Sequence, residues 1–417
     1  MAKELNLASA KAKADAEWDD EGIPVSAPDP LAKIKSKLTA KKKRGNNEPD
    51  WELGLSTGST LLNLACSGRV DIGFAPNNYY CWCGRSGSGK TFITMTTLAE
   101  ASINPRYEKH RLIFDCPEQG ALMSIEKFFG PALARRLEPP AGTREKPRYS
   151  RTLEGLYHNV HNALSSGPCL YLLDSMDPLP TDIEYKAFLK KNRSYNKKEK
   201  KKDETDGGQE LKEPGSYGTE RAKVNSHHLR LVFNELQDSG SMLIVIFQSR
   251  QNIGPGAQFN PDVRGGGNAP TFYAGMELWS SVHTHLKVKE KISQKYVEQG
   301  VVCKVRVKKG RIQGKDRTVY IPIYHTGDAP GIDDIGGCVD FMAEWKRWPK
   351  TGKDYDVADG RIDAVDFKIN ANREKVVQHI LSNNLEDDLK RLVLATWKDI
   401  EDSCAVHRKP RYGQPSA

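Results

Sequence analysis

The sequence predicts an α/β protein with a mainly parallel central sheet flanked by helices, and three observations lead to that class. Apolar runs of strand length recur along the chain: YYCWC (79–83), RLIF (111–114), CLYLL (169–173), MLIVIF (242–247), VVCKVRV (301–307) and TVYIPI (318–323). Several are apolar almost without interruption, as in strands covered on both faces, and helical patterns separate them. A glycine-rich turn, Gly84 to Gly89, joins the first run to a helical segment.

In chain order, residues 1–50 carry an acidic patch (Glu17, Asp19, Asp20, Glu21), then Pro24, Pro28 and Pro30, and a basic stretch from Lys33 to Arg44. With so little apolar periodicity this reads as a mobile N-terminal arm. Residues 51–348 form the core. Thr91 to Ser102 and Ala222 to Asp238 have helical periodicity; in the second, Leu229, Val232, Phe233 and Leu236 share one face. Residues 182–221, polar and lysine-rich, and 251–271, rich in Gly, Pro and Asn, are expected as long exposed loops. Residues 349–417 read as a small helical appendage with a polar tail.

Composition excludes several classes. No apolar run approaches the ~18 residues of a membrane span. Eight cysteines in 417 residues are too sparse for a disulfide scaffold, and no secretory segment opens the chain, so a reducing, cytoplasmic setting is expected. Cys81 and Cys83 have no second Cys or His pair at zinc spacing, so no metal site is assigned to Cys or His. Lys plus Arg exceed Asp plus Glu by 63 − 54, a net +9, which suits a polyanionic partner without fixing a fold.

The chemistry begins at Gly84-Arg85-Ser86-Gly87-Ser88-Gly89-Lys90-Thr91, a complete Walker A pattern between a strand and a helix. Its backbone N–H groups curl around phosphate, Lys90 reaches the β and γ phosphates, and Thr91 ligates Mg²⁺. ATP or GTP is therefore expected here. A second Mg²⁺ ligand is expected from a neighbouring strand end, and Asp174 closes the apolar run CLYLL. Glu118 follows the RLIF strand at the same sheet edge, where a carboxylate can orient water against a γ-phosphate.

These segments resemble the RecA family of homologous-recombination ATPases. The likeness rests on Thr57-Gly58-Ser59 with Leu61 to Ala65, DCPEQGA with one extra residue after the aspartate, LLDSMDPLP, and MLIVIFQSRQNIG followed by RGGGNAPTFYA (264–274). It spans about residues 54 to 340 and is closer to bacterial recombinases than to ring helicases or circadian-clock ATPases. It implies a RecA-like P-loop ATPase core, ATP with Mg²⁺, and a DNA-dependent ATPase of a bacterium or phage. Such a protein forms a homo-oligomeric helical filament on single-stranded DNA and pairs it with double-stranded DNA for strand exchange.

Residue by residue, the resemblance implies that Gln248 couples the γ-phosphate to the following DNA loop, and that Phe272 packs between subunits. Lys309 and Arg311 would reach a neighbouring subunit's ATP. The two DNA loops would fall near 182–221 and 251–271, with Lys197, Lys198, Lys200, Lys201 and Lys202 in the first. Arg250, Arg264, Gly265, Gly266 and Asn268 would serve in or beside the second. The family's adenine-flanking positions fall near Leu122 and Ile125, and its N-terminal packing helix has no counterpart in residues 1–50. Two rivals share the motifs: a hexameric DNA helicase motor on the same core, and a non-enzymatic mediator that binds nucleotide and DNA.

Overall fold

A computed structural model describes residues 51–118, 123–199, 217–252, 258, 262–265, 267–312, 314, 316–351, 360–406 and 408; for 193–199 and 217–219 it describes the backbone alone. The chain divides into Met1–Pro49, which lies outside the described residues, and Asp50–Ala417, which holds all of them.

The described helices are α1 (Thr60–Ser67), α2 (Lys90–Ile103), α3 (Ile125–Arg136), α4 (Leu153–Ser165), α5 (Asp182–Glu199), α6 (Tyr217–Leu236), α7 (Ala269–Tyr273), α8 (Asp334–Glu344), α9 (Arg373–Ser382) and α10 (Glu386–Ser403). The strands of the main sheet are β1 (Asn78–Gly84), β2 (Arg111–Asp115), β3 (Leu137–Glu138), β6 (Cys169–Leu173), β7 (Met242–Gln251), β8 (Asp262–Arg264), β9 (Met276–Lys289), β10 (Tyr296–Gly310), β11 (Arg317–Tyr324) and β12 (Gly331–Ile332). β4 (Ala141–Gly142) pairs with β5 (Pro147–Arg148), and β13 (Lys350–Thr351), β14 (Arg361–Ala364) and β15 (Ile369–Asn372) make a small separate sheet.

The main sheet has the order β12-β11-β10-β9-β1-β7-β6-β2-β3, with β8 paired to β7. Along the order from β9 to β3 the neighbours are parallel, β8 pairs antiparallel with β7, and the antiparallel strands β10 to β12 extend one side. This is a mixed α/β fold with a large, mostly parallel central sheet flanked by helices. All six apolar runs lie on strands. β9 was not foreseen, because beyond Ser280 its side chains are mainly exposed and polar; its pairing with β10 supplies what its own pattern lacks.

Alternation along β1 divides the core. Tyr80 and Trp82 join the apolar cluster under α1, α2 and α8 to α10, while Tyr79, Cys81 and Cys83 join that under α4 and α6. Each fully buried large side chain contributes about 1.5–3 kcal/mol relative to exposure. Polar caps set helix starts: Ser59 accepts from the Leu62 N–H and Thr152 from the Gly155 N–H.

Residues 182–199 are helical where a loop was expected. Acidic Asp182 and Glu184 occupy the first turn, favourable at a helix N-terminus, and lysine is a good helix former. At the other end, α9 and α10 share the sheet's apolar cluster, with Trp397 stacked on Phe341 at 5.9 Å between centroids. Arg317–Glu401 and Arg347–Asp399 ion pairs add polar ties.

Candidate functional site

Parallel register sets Gly84, the end of β1, level with Gln248 near the end of β7 and with Ser280 of β9. The chain then turns through residues 85–89 into α2. Gly87 and Gly89 have φ of 74° and 78°, the left-handed region that glycine enters without Cβ strain. A Cβ on Gly89 would also lie 2.6 Å from Cys303 Sγ, so this backbone presses against β10. Lys90 is buried and its Nζ donates to the Arg85 carbonyl at 2.7 Å, folding the side chain back over the loop. Burial lowers its pKa, opposed by the charges of Asp174, Glu118 and Asp177.

Thr91 Oγ1 donates to Asp174 Oδ2 at 2.6 Å, so the two expected Mg²⁺ ligands meet across the α2–β6 boundary. Burial raises the Asp174 carboxyl, with the Thr91 bond opposing it. Ser86 and Ser88 complete the loop, the latter donating to the Arg85 carbonyl at 2.7 Å and lying 3.0 Å from Ser280 Oγ.

Glu118 arrives at this edge despite its extra residue. Its Oε1 accepts from Ser175 Oγ at 2.5 Å and from Gln248 Nε2 at 2.9 Å, joining the segments after β2 and β6 to β7. Asp115, the end of β2, is fully buried and accepts from the Ser150 N–H and hydroxyl and from the Tyr171 hydroxyl, which anchors the segment that carries Glu118.

Lys309 and Arg311 lie elsewhere. Lys309 pairs in register with Glu277, near the start of β9, whereas Gly84 is level with Ser280. Three residues of strand are about 10 Å, so these cations sit toward the opposite edge from their own P-loop. There Lys309 Nζ donates to the carbonyls of Thr271 and Phe272 at 2.5 and 3.1 Å, and Arg311 Nη2 to that of Phe272 at 2.7 Å. Burial lowers the Lys309 pKa, as does the neighbouring Arg311. Phe272 itself is 68% exposed, which leaves it available to another surface.

The expected DNA contacts divide. The side chains of Lys197 and Lys198, and Lys200, Lys201, Lys202 and Gly266 altogether, lie outside the described residues, as does Leu122 beside the expected adenine position. Arg250 is exposed, with its guanidinium 3.9 Å from Asp177. Arg264 turns inward, donating to Thr271 Oγ1 at 2.6 Å and lying 5.2 Å over the Phe247 ring, so it holds the end of the segment together. Gly265 approaches Asp177, and Asn268 is exposed at the start of α7.

Two contacts escaped the sequence reading. Asp177 Oδ2 accepts the Gln248 backbone N–H at 2.6 Å; its only signal was a second aspartate shortly after a strand end. Arg85, expected only as a loop residue, pairs with Asp262 at 2.8 Å, tying the P-loop to β8. No local pattern relates positions so far apart.

No protein-family model matches the chain. Part of it is similar to RecA proteins: 27% identical over 192 residues to that of Borreliella burgdorferi (strain ZS7), covering 44% of this chain and 48% of that protein. The RecA protein of Borreliella afzelii (strain PKo) is 28% identical over 198 residues, 45% and 49% of the two chains. That of Wolbachia pipientis subsp. Culex pipiens (strain wPip) is 25% identical over 190 residues, again 45% and 49%. The chain thus spans about half the length of the curated relatives it matches. This distant, partial similarity supports a RecA-like family. Among the described residues no helix is long and apolar enough to cross a membrane.

Proposed function

We propose that the chain is an ATP-dependent DNA recombinase that polymerises on single-stranded DNA and promotes homologous pairing and strand exchange with duplex DNA. The observation that carries this reading is the Gln248–Glu118 contact: the residue expected to sense the γ-phosphate bonds the expected catalytic carboxylate, and its strand leads directly into the segment expected to hold DNA.

ATP fits the residues present. Gly84 to Gly89 offer backbone N–H groups and a helix N-terminus, Lys90 adds a buried cation, and Thr91 with Asp174 offers two oxygens for Mg²⁺, whose remaining shell suits phosphate and water. Bound Mg²⁺ supplies charge neutralisation across the β and γ phosphates. Glu118 holds the attacking water and accepts its proton at the carboxylate, whose direction the Ser175 hydroxyl fixes. When a phosphate oxygen takes the Gln248 amide, the amide leaves Glu118, and the β7 end that bears Arg250 reorients with it.

Lys309 and Arg311 cannot serve the P-loop of their own chain from the far sheet edge. In a head-to-tail polymer they act on the neighbour's triphosphate, beside the exposed Phe272. The test is electron microscopy of the protein with single-stranded DNA and a non-hydrolysable ATP analogue. Open helical filaments are expected; closed hexameric rings would replace this reading with a helicase motor, and absence of nucleotide-dependent assembly would overturn it.

A further inference from the structure

Asp177 belongs to neither the phosphate set nor the metal set, yet it touches the boundaries of both candidate sites. Its Oδ2 accepts the backbone N–H of Gln248 at 2.6 Å, while the Gln248 side chain reaches Glu118 at 2.9 Å. Its Oδ1 faces the Arg250 guanidinium at 3.9 Å. Arg221, near the start of α6, donates through Nη2 to the carbonyls of Met176 and Asp177, both at 3.1 Å, and its Nε is buried without a hydrogen-bond partner among the described residues. A Cβ on Gly265 would lie 3.5 Å from Asp177 Oδ1. The Asp177 carboxylate therefore meets the strand end that faces phosphate and the described end of the second candidate DNA segment, while the Asp177 carbonyl meets Arg221 at the end of the first.

The two members of the Asp177–Arg250 pair differ in freedom. The Asp177 side chain is 11% exposed and held by the Gln248 amide; that of Arg250 is 69% exposed and, among the described residues, has a single long ionic contact to leave. A 3.9 Å contact whose cation is largely exposed to solvent is a weak ion pair, so a phosphodiester displaces little when it takes the guanidinium. The carboxylate that remains is then shared between the Gln248 amide and the Arg221 charge. Loss of one cation is felt where Gln248 meets Glu118.

We propose that Asp177 is a positioning residue that couples DNA binding to the nucleotide site, by exchanging Arg250 between its carboxylate and a DNA phosphate while retaining the Gln248 amide. This rests on the DNA-dependent ATPase reading above. Coupling between two sites is reciprocal in binding free energy, so it is read as one ratio: DNA affinity with a non-hydrolysable ATP analogue over DNA affinity without it.

The experiment measures that ratio with a fluorescent oligothymidylate for the full-length chain, Asp177→Asn, Arg250→Gln and the double variant, with analogue affinity measured separately without DNA. Asparagine keeps an oxygen for the Gln248 amide and removes the charge. Asp177→Asn should lower the ratio by about two- to fivefold, mainly by raising nucleotide-free DNA affinity, and leave analogue affinity unchanged. With Arg250 already replaced, the Asp177 substitution should lower the ratio no further, because the pair it breaks is gone. An unchanged ratio in Asp177→Asn, or effects that multiply independently in the double variant, would overturn the assignment. Arg250→Gln lies on an exposed side chain and tests the same pair should Asp177→Asn fold poorly; an unchanged ratio there is equally fatal. If the unsubstituted chain shows no nucleotide-dependent DNA binding, the functional reading itself falls and takes this assignment with it.

Discussion

Replacing Glu118 by glutamine removes the proposed base while keeping its shape. Glutamine retains a carbonyl oxygen at the position that accepts from Ser175 and Gln248, so the fold and the three-way contact should persist. A positioned general base contributes roughly 10²- to 10⁴-fold, or about 2.7–5.4 kcal/mol at 1.36 kcal/mol per decade. Losing only the charge on one hydrogen-bond acceptor costs about 1 kcal/mol, less than tenfold, so magnitude separates a base from a structural carboxylate. The sign of the binding effect follows from electrostatics. Glu118 faces Lys90 and Asp174 at the phosphate end of the site, and removing its negative charge should leave ATP affinity unchanged or tighter. Steady-state ATP turnover with single-stranded DNA, together with equilibrium binding of a fluorescent ATP analogue, reads both quantities. Turnover within about threefold of the parent in a folded protein would remove Glu118 from catalysis, and loss of nucleotide binding would make it part of the binding site instead.

Lys90→Ala should abolish nucleotide-dependent DNA binding, since the phosphate charge loses its buried cation; unchanged ATP affinity in a folded variant refutes the P-loop assignment. Gly89→Ala should lower stability by about 1–3 kcal/mol in chemical denaturation, because φ is strained and Cys303 crowds the added carbon; an unchanged midpoint contradicts that packing. If Lys309 and Arg311 act in trans, a Glu118 variant and a Lys309/Arg311 double variant, each inactive, should partly restore ATP turnover when mixed on DNA; no rescue in confirmed mixed polymers argues against it. Replacing Lys197, Lys198, Lys200, Lys201 and Lys202 with serine should weaken DNA binding with little sequence dependence. The slope of log affinity against log salt should flatten by about 0.7 for each single-strand phosphate that the variant no longer neutralises. An unaltered slope returns that segment to a merely solvated role.

What the sequence by itself determined is local. The phosphate turn is legible because its conformation and chemistry are written in eight consecutive residues, Gly84 to Thr91, and the buried strands because apolar runs report two covered faces. Asp174 was legible by its place at the end of such a run. Tertiary structure decided what depends on register between distant strands. It set Gln248 level with Gly84, delivered Glu118 to that amide in spite of an inserted residue, and put Asp177 between Gln248 and Arg250. It also separated Lys309 and Arg311 from their own phosphate loop and drew β9, polar for much of its length, into the sheet through pairing with β10. The physical reason is that a periodic pattern records only which face a residue turns to the core, whereas hydrogen bonds across strands choose which residues meet, and that choice is made by the packing of the whole sheet.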